Sequence, residues 1–381
     1  MNKIASYTSD IFQGLLKGNR YSLAKGITLI ESSRRDHHEQ SQILLQLCLN
    51  EQNRRNNSMS SAPSSSSSGN FYPGLGSFRI GFSGSPGVGK STFIEGFGSF
   101  LVQQLGHRVA VLAVDPSSSK TGGSLLGDKT RMTELSRMDG AYVRPSPTGG
   151  ALGGVARTTM ESILLCETAG FDTVLVETVG VGQSEIMVSE MVDLFVLLVP
   201  PAGGDELQGM KRGIMENSDI VIVNKADGDL LPAAQRAKME YTSALKYLAS
   251  PSPNWNPPVL MASSIDKKSF PRVHESIQSF YNQVELGLLA EGDDNGNIHA
   301  SCNSNSNSNS VNASGGLSRK RQLQRKQWLW RTISSNFMYD LKNDENIREF
   351  SRDLEKQVVQ GFVTPGRAAD KILAFYYRSK K

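Results

Sequence analysis

The fold class follows from one segment of the chain, Gly84-Ser85-Pro86-Gly87-Val88-Gly89-Lys90-Ser91. Alternating apolar residues precede it at positions 78, 80 and 82, and apolar residues at 93, 94 and 97 follow it with helical spacing. A glycine-rich loop between a strand and a helix directs backbone N–H groups and a helix N-terminus at negative charge. The alternative, a glycine-rich turn that happens to contain Lys-Ser, does not account for these flanks. We predict a phosphate-binding loop in which Lys90 contacts the β- and γ-phosphates, Ser91 reaches a magnesium ion and Thr92 completes the loop.

A second motif, Asn224-Lys225-Ala226-Asp227, follows the short apolar run at 220–223. A carboxylate at the end of this motif can accept hydrogen bonds from both N1–H and the exocyclic amine of guanine, whereas adenine presents the wrong edge. Charge-assisted hydrogen bonds contribute about 1.5–3 kcal/mol each, so two of them imply discrimination of roughly 10²- to 10⁴-fold. The tetrapeptide alone can be an ordinary turn. After a phosphate loop and at a strand end, it predicts guanine recognition by Asn224, Lys225 and Asp227.

The composition of the 381 residues is that of a globular chain, with 38% hydrophobic residues and a formal net charge of +4. Three widely spaced cysteines, Cys48, Cys166 and Cys302, favour a reducing compartment. No apolar run reaches the roughly 18 residues that span a bilayer, so we expect no membrane role. Residues 319–381 carry 15 Lys and Arg against 7 Asp and Glu. No nucleic-acid module accompanies them, so we expect no nucleic-acid partner.

Apolar strands alternate with helical stretches between residues 71 and 287, which is typical of a parallel sheet covered on both faces. We predict an α/β fold, a mostly parallel P-loop NTPase (G domain) flanked by N-terminal and C-terminal helical arms. The predicted strands are 78–82, 109–114, 171–176, 194–199, 220–223 and 259–261. The predicted parts are an N-terminal helical segment (1–57), a Ser-rich linker (58–70), the GTPase domain (71–287), a low-complexity disordered insert (288–318) and a C-terminal helical arm (319–381).

Three acidic residues occupy positions where magnesium ligands belong. Asp115 and Glu177 each follow a predicted strand, and Asp128 lies in a glycine-rich loop. Mg²⁺ prefers such oxygen ligands, although each residue could instead cap the next helix. The segment Glu177-Thr178-Val179-Gly180 also resembles a strand-end switch that senses the γ-phosphate. The glycine-bracketed loop at 203–213, which contains Lys211, could close over the nucleotide, contact a partner, or be an ordinary surface loop.

The chain resembles the MeaB/ArgK family of GTPases. The resemblance rests on residues 106–119, 127–132, 144–147, 152–157 and 176–185, and on Gly204-Asp205-Glu206-Leu207-Gln208-Gly209. It covers residues 15–47 and the nucleotide domain, and more loosely the C-terminal arm. One departure concerns the loop that supports guanine, which in the family reads Ser-Ala followed by glycine. Here Ser263 and Ser264 precede a charged stretch, which leaves the backbone contact to guanine open.

The resemblance implies a GTPase that binds GTP or GDP with Mg²⁺ and docks on methylmalonyl-CoA mutase. It implies gated delivery of adenosylcobalamin by the cobalamin adenosyltransferase, replacement of damaged cofactor, and a homodimer formed through the C-terminal arm. Lys90, Glu177 and the partner-responsive Lys211 would then act in hydrolysis. Ser91, Asp115, Asp128 and Glu177 would surround the metal. The acid-poor N-terminus suits a mitochondrial leader, so the matrix is the expected location in a eukaryote and the cytoplasm otherwise.

Three other functions are compatible with parts of this pattern. A nickel-insertion GTPase would need a Cys/His cluster, which the five histidines and three cysteines do not form in the sequence. A protein kinase acting on amino-acid transport proteins would need an acceptor site. A non-hydrolysing interaction module would look identical in sequence to a slow, partner-stimulated GTPase.

Overall fold

The computed structural model describes residues 2–32, 34–60, 71–72, 75–114, 132–145, 152–178, 184–201, 212–248, 252, 255–285, 289–292, 298–301 and 316–379. These residues include a sheet of seven parallel strands, whose bounds are β1 (Phe78–Gly84), β2 (Val109–Val114), β3 (Ala141–Arg144), β4 (Thr173–Thr178), β5 (Leu194–Val199), β6 (Ile220–Val223) and β7 (Val259–Met261). The spatial order is β3-β2-β4-β1-β5-β6-β7, so the strand that enters the phosphate loop is central. The predicted fold class is confirmed.

The helices that the structure describes are α1 (Asn2–Leu16), α2 (Arg20–Glu31), α3 (Arg35–Ser60), α4 (Lys90–Leu105), α5 (Thr133–Arg137), α6 (Leu152–Thr168), α7 (Ser184–Ser189), α8 (Arg212–Glu216), α9 (Leu231–Leu245), α10 (Phe270–Val284), α11 (Gly316–Asn343), α12 (Glu345–Val359) and α13 (Pro365–Ser379). A short antiparallel pair joins β8 (Leu289–Gly292) to β9 (Ile298–Ser301). Among the described helices, none is both long and apolar enough to cross a bilayer.

The strands form because most of their residues are apolar and both faces of the sheet are covered. The buried charged exceptions, Arg79 of β1 and Glu177 of β4, are hydrogen-bonded to other side chains. Every residue of β1, β2, β4, β5 and β6 is buried. Parallel sheets require such continuous burial because helices lie on either side. In the register, Ile80 of β1 pairs with Leu175 of β4 and with Leu194 of β5. The carboxyl ends of β1, β4 and β6 therefore reach one edge of the sheet, where open α/β sheets bind ligands.

Aromatic side chains fix the helix that follows the phosphate loop. Phe93 and Phe97 lie one turn apart on α4, and both are fully buried. The ring centroid of Phe93 is 5.7 Å from that of Phe82 on β1 and 5.5 Å from that of Phe270 on α10. Such ring pairs add about 0.5–1.5 kcal/mol each beyond their buried area. The start of α4 is thus held rigidly against the sheet.

The chain divides into two units, Met1–Gln324 and Arg325–Lys381. The first contains the sheet together with the N-terminal helices, whose residues Leu23 and Ile27 are fully buried. The second consists of the rest of α11 with α12 and α13. Within that second unit the rings of Phe350 and Phe375 stack at 4.3 Å between centroids. The domain boundaries predicted from the sequence stay a prediction.

A buried network of ion pairs lies at the amino-terminal edge of the sheet. Arg79 at the start of β1 donates two hydrogen bonds, of 2.7 and 2.9 Å, to the carboxylate of Glu167 on α6. Arg321 of α11 donates bonds of 2.7 and 2.5 Å to the carboxylate of Asp193. Burial alone would raise the pKa of Glu167, but the positive charges of Arg79 and Arg321 lower it to about 2. The network therefore attaches the first turns of α11 to the sheet.

The structure differs from the sequence prediction in several elements. β3 was not predicted, because it is an edge strand of four residues, two of them half-buried. α3 extends to Ser60, into the start of the predicted Ser-rich linker, and residues 61–70 lie outside the described residues. β4 ends at Thr178 rather than at residue 176, so Glu177 belongs to the strand itself.

Candidate active site

Glycine geometry shapes the predicted phosphate loop between β1 and α4. Gly84 has a φ of 151°, and a Cβ at this position would lie 2.2 Å from the carbonyl oxygen of Leu198. Gly89, with a φ of 94°, precedes the first residue of α4. A side chain at position 84 would collide with backbone, and a side chain at position 89 would be strained. The backbone geometry therefore explains why the predicted phosphate loop has glycine at positions 84 and 89.

The side chain of Lys90 folds back onto the phosphate loop. Its Nζ donates hydrogen bonds to the carbonyl oxygens of Gly84 at 2.7 Å and Ser85 at 3.1 Å. Burial lowers the pKa of Lys90, while the negative charges of Glu177 and Glu185 act to raise it. The ammonium group is held where phosphate oxygens could take the place of the two carbonyls. Glu185, which follows Ser184 at the start of α7, lies in a segment that carries the family resemblance, but no role was predicted for it.

The predicted magnesium residues Ser91 and Glu177 are brought together by the sheet. Phe82 of β1 pairs with Glu177 of β4, which places the carboxylate beside the phosphate loop. The Ser91 hydroxyl donates a 2.7 Å hydrogen bond to Oε1 of Glu177, whose side chain is buried. Hydroxyl and carboxylate oxygens are the hard ligands that Mg²⁺ prefers, so this pair fits the ion chemically.

The guanine motif touches the phosphate loop directly. Asn224 is fully buried, its Nδ2 donates a 2.9 Å hydrogen bond to the carbonyl of Val88, and its Oδ1 accepts one of 3.0 Å from Ser264. Lys225, with a φ of 57°, donates a 2.7 Å bond from Nζ to the carbonyl of Gly87. The end of β6 therefore holds the phosphate loop and presents the next residues to a base.

Asp227 is oriented by the loop that follows β7. The Ser263 hydroxyl donates a hydrogen bond to Oδ2 of Asp227, and the same hydroxyl accepts bonds from the backbone N–H groups of Ile265 at 3.2 Å and Asp266 at 3.0 Å. The sequence left the role of this loop open because it departs from the family pattern. In the structure its two serines, Ser263 and Ser264, contact Asp227 and Asn224 respectively.

The remaining predicted site residues, Asp115, Asp128 and Lys211, lie outside the described residues, as does most of the loop at 203–213. Thr92, the third residue of α4, is itself exposed. One link beside the site was not predicted: the Thr178 hydroxyl of β4 donates a 3.0 Å hydrogen bond to the Ser83 hydroxyl of β1. Thr178 follows Glu177 directly, so this bond fixes the carboxylate-bearing strand to the strand that leads into the phosphate loop.

A family model described as "Methylmalonyl Co-A mutase-associated GTPase MeaB" matches residues 71–303, more than half of the chain. The chain belongs to the MeaB family of GTPases. It binds guanine nucleotides and hydrolyses GTP, as the curated relatives named GTPases support. The family resemblance stated from the sequence is confirmed.

Similar proteins cover nearly the whole chain. The mouse protein named methylmalonic aciduria type A homolog, mitochondrial, is 46% identical over 98% of this chain and 80% of its own length. The Escherichia coli protein named GTPase ArgK is 37% identical over 94% of this chain and 93% of its own length. A crystal structure described as LAO/AO transport system kinase superposes with a TM-score of 0.68 at 30% identity, covering 98% of each chain.

Proposed function

We propose that this MeaB-family GTPase is a chaperone of methylmalonyl-CoA mutase that gates delivery of adenosylcobalamin and protects or reactivates the mutase. The family match over residues 71–303, whose description names that mutase, is the observation that carries the proposal. Relatives named for methylmalonic aciduria in mouse and Caenorhabditis elegans support it. The reaction that times these events is conversion of GTP and water to GDP and phosphate.

We assign the phosphate end of the site to the loop and its neighbours. Magnesium would neutralise charge on the β- and γ-phosphate oxygens. Ser91 and Glu177 would hold it, with Asp115 and Asp128 as further ligands that we propose from the sequence. Lys90, already inside the loop, would exchange its carbonyl partners for phosphate oxygens. Lys211 would act in hydrolysis when the partner is bound.

Substitution of Ser91 by Ala tests the metal assignment. We expect nucleotide affinity in the presence of Mg²⁺ to fall by about 10- to 100-fold, since an interaction with a charged group contributes roughly 1.5–3 kcal/mol. Titration of a fluorescent GDP analogue with and without Mg²⁺ measures the effect. The matched variant Ser279→Ala removes a hydroxyl at an exposed position of α10, where it donates a hydrogen bond to the carbonyl of Glu275. Equal Mg²⁺ enhancement in Ser91→Ala and in the unmodified protein would contradict the assignment.

The C-terminal arm is our proposed dimer surface. Within the second unit, Trp330 is 62% exposed and Ile333 is 47% exposed. Large apolar side chains on a helix face of this kind suit a second copy of the chain. We also propose cobalamin adenosyltransferase as a further partner. The mitochondrial matrix is the proposed location in a eukaryotic cell, in line with the names of the mouse and worm relatives.

GTP turnover with and without purified methylmalonyl-CoA mutase tests the chaperone role. We expect slow release of phosphate by the GTPase alone and a clear increase when the mutase is added. The variant Lys211→Ala should lose most of the increase, while Lys246→Ala, at an exposed position directly after α9, should keep it. A mutase pull-down should differ between the GTP-loaded and GDP-loaded protein. Absence of both stimulation and nucleotide-dependent capture would overturn the mutase assignment.

A second candidate function is a kinase that acts on amino-acid transport proteins, because one similar solved structure is described as LAO/AO transport system kinase. The two functions differ in where the γ-phosphate goes. With γ-labelled GTP, a hydrolase releases the label as inorganic phosphate, whereas a kinase transfers it to protein. Label recovered on a transport protein would favour the kinase.

A further inference from the structure

An open, mostly apolar groove of about 380 Å³ runs along α2 on the N-terminal helices. Its lining from the α2 side extends from Tyr21 to Ser32, which corresponds to about 16 Å at 1.5 Å per residue. Tyr7 of α1 and His37 of α3 complete the lining. None of the residues of the phosphate loop or of the guanine motif takes part. The groove is therefore separate from the nucleotide site.

The groove offers aromatic faces around an apolar floor. Tyr21 is 68% exposed and Tyr7 is 42% exposed. Both are large side chains whose burial by a ligand would be favourable. Leu29, which is 4% exposed, forms part of the floor. Aromatic rings of this kind prefer a flat partner in stacked or edge-to-face contact.

The charge of the groove is positive. Lys25 places its Nζ 4.4 Å from the centroid of the Tyr21 ring. Ser32 and His37 add polar atoms, with 2.8 Å between the serine Oγ and the imidazole Nδ1. No acidic residue is among the described residues that line the groove. The neighbouring carboxylate of Glu31 is engaged by Arg144 at 2.5 Å and lines a different cavity.

We propose that this groove is a second binding site, for a flat apolar ligand that carries one anionic group. The ligand ring packs over Leu29 and against the two tyrosines, and its anion pairs with Lys25 and accepts from Ser32 or His37. The volume falls in the range of roughly 300–1,000 Å³ typical of small-molecule sites, which are mainly apolar with a few polar groups. Charge complementarity sets the class of ligand: an acid is attracted where a neutral or cationic analogue is not.

Two fluorescent probes test the proposal, because they differ only in the anionic group. The probes are 1-anilinonaphthalene-8-sulfonate and the uncharged N-phenyl-1-naphthylamine. We expect the full chain to bind the sulfonate more tightly. Lys25→Met should remove most of this preference, a change of about two- to fivefold for a partly exposed ion pair. Tyr21→Ala should lower the affinity for both probes by about two- to tenfold, as expected for loss of an aromatic contact.

The matched variants Lys246→Met and Tyr247→Ala remove a cation and an aromatic ring that lie outside the groove, and Tyr247 is 85% exposed. Both should bind the probes like the unmodified protein, which controls for adsorption to other apolar surfaces. Thermal unfolding of each variant checks that the fold is retained. The proposal is overturned if the sulfonate preference survives in Lys25→Met, or if the control variants lose as much affinity as Tyr21→Ala. The titrations are made without nucleotide or mutase, so their outcome is independent of the proposed chaperone function.

Discussion

Substitution of Asp227 by Asn is expected to lower the affinity for GTP by about 10²- to 10⁴-fold, since two charge-assisted hydrogen bonds to guanine are lost. The Asn amide would present an N–H group to the exocyclic amine of guanine, so two donors would face each other. The Ser263 hydroxyl can donate to an amide oxygen as it does to Oδ2 of Asp227, and the loop after β7 should therefore stay in place. The loss of affinity for GTP should therefore come from weaker recognition of the guanine base.

Competition between GTP, ATP and xanthosine triphosphate measures this prediction. Xanthine carries a carbonyl where guanine carries the exocyclic amine, so the Asn variant should prefer xanthosine triphosphate. Binding of that nucleotide also demonstrates that the variant is folded. Asp229→Asn makes the same chemical change two residues away, at an exposed position, and should keep GTP selectivity. Unchanged preference for GTP over ATP in Asp227→Asn would refute guanine recognition by this carboxylate.

Substitution of Arg321 by Ala is expected to lower the free energy of unfolding by about 3–5 kcal/mol, the usual cost of removing one partner from a buried ion pair. The Asp193 side chain is fully buried and accepts two hydrogen bonds from Arg321. Arg321 also donates a 2.8 Å bond to the carbonyl of Ser77, just before β1. The variant would leave a buried carboxylate without its main counter-charge.

Denaturant unfolding followed by circular dichroism measures the loss. Arg319→Ala removes the same charge two residues earlier, from a less buried position of α11, and should change stability by at most about 0.5 kcal/mol. Arg321→Lys should recover only part of the loss, because an ammonium group lacks the planar fork that contacts both carboxylate oxygens. A loss in Arg321→Ala as small as that in Arg319→Ala would mean that the network contributes little to folding.

Local patterns carried most of the fold prediction. The apolar runs that became β1, β2, β4, β5, β6 and β7 are each visible in the sequence, because a strand buried on both faces is mostly apolar. β3 was missed because an edge strand of four residues has no such run. The antiparallel pair β8–β9 was also not predicted, and its residues lie in a stretch whose composition indicated no core.

The candidate site was also predicted only in part from the sequence. The phosphate loop and the guanine motif are contiguous segments whose chemistry can be read from residue types and spacing. The contact between Ser91 and Glu177 joins residues 86 positions apart, and that between Ser263 and Asp227 joins residues 36 positions apart. The influence of Glu185 on the pKa of Lys90 was not predicted either, although Glu185 ends a segment that carries the family resemblance. Such pairings depend on strand order and register.

Local patterns of apolar spacing, glycine and charge were enough to predict a parallel α/β sheet, a phosphate loop and a guanine motif. The folded chain was needed to find that Arg321 of α11 bonds Asp193, 128 positions earlier, and the carbonyl of Ser77, 244 positions earlier, and that a groove with one lysine lies along α2. The physical reason is that ion pairs and grooves form between segments brought together by packing. The strength of an ion pair and the shape of a groove depend on burial and distance, which the order of residues along the chain does not specify.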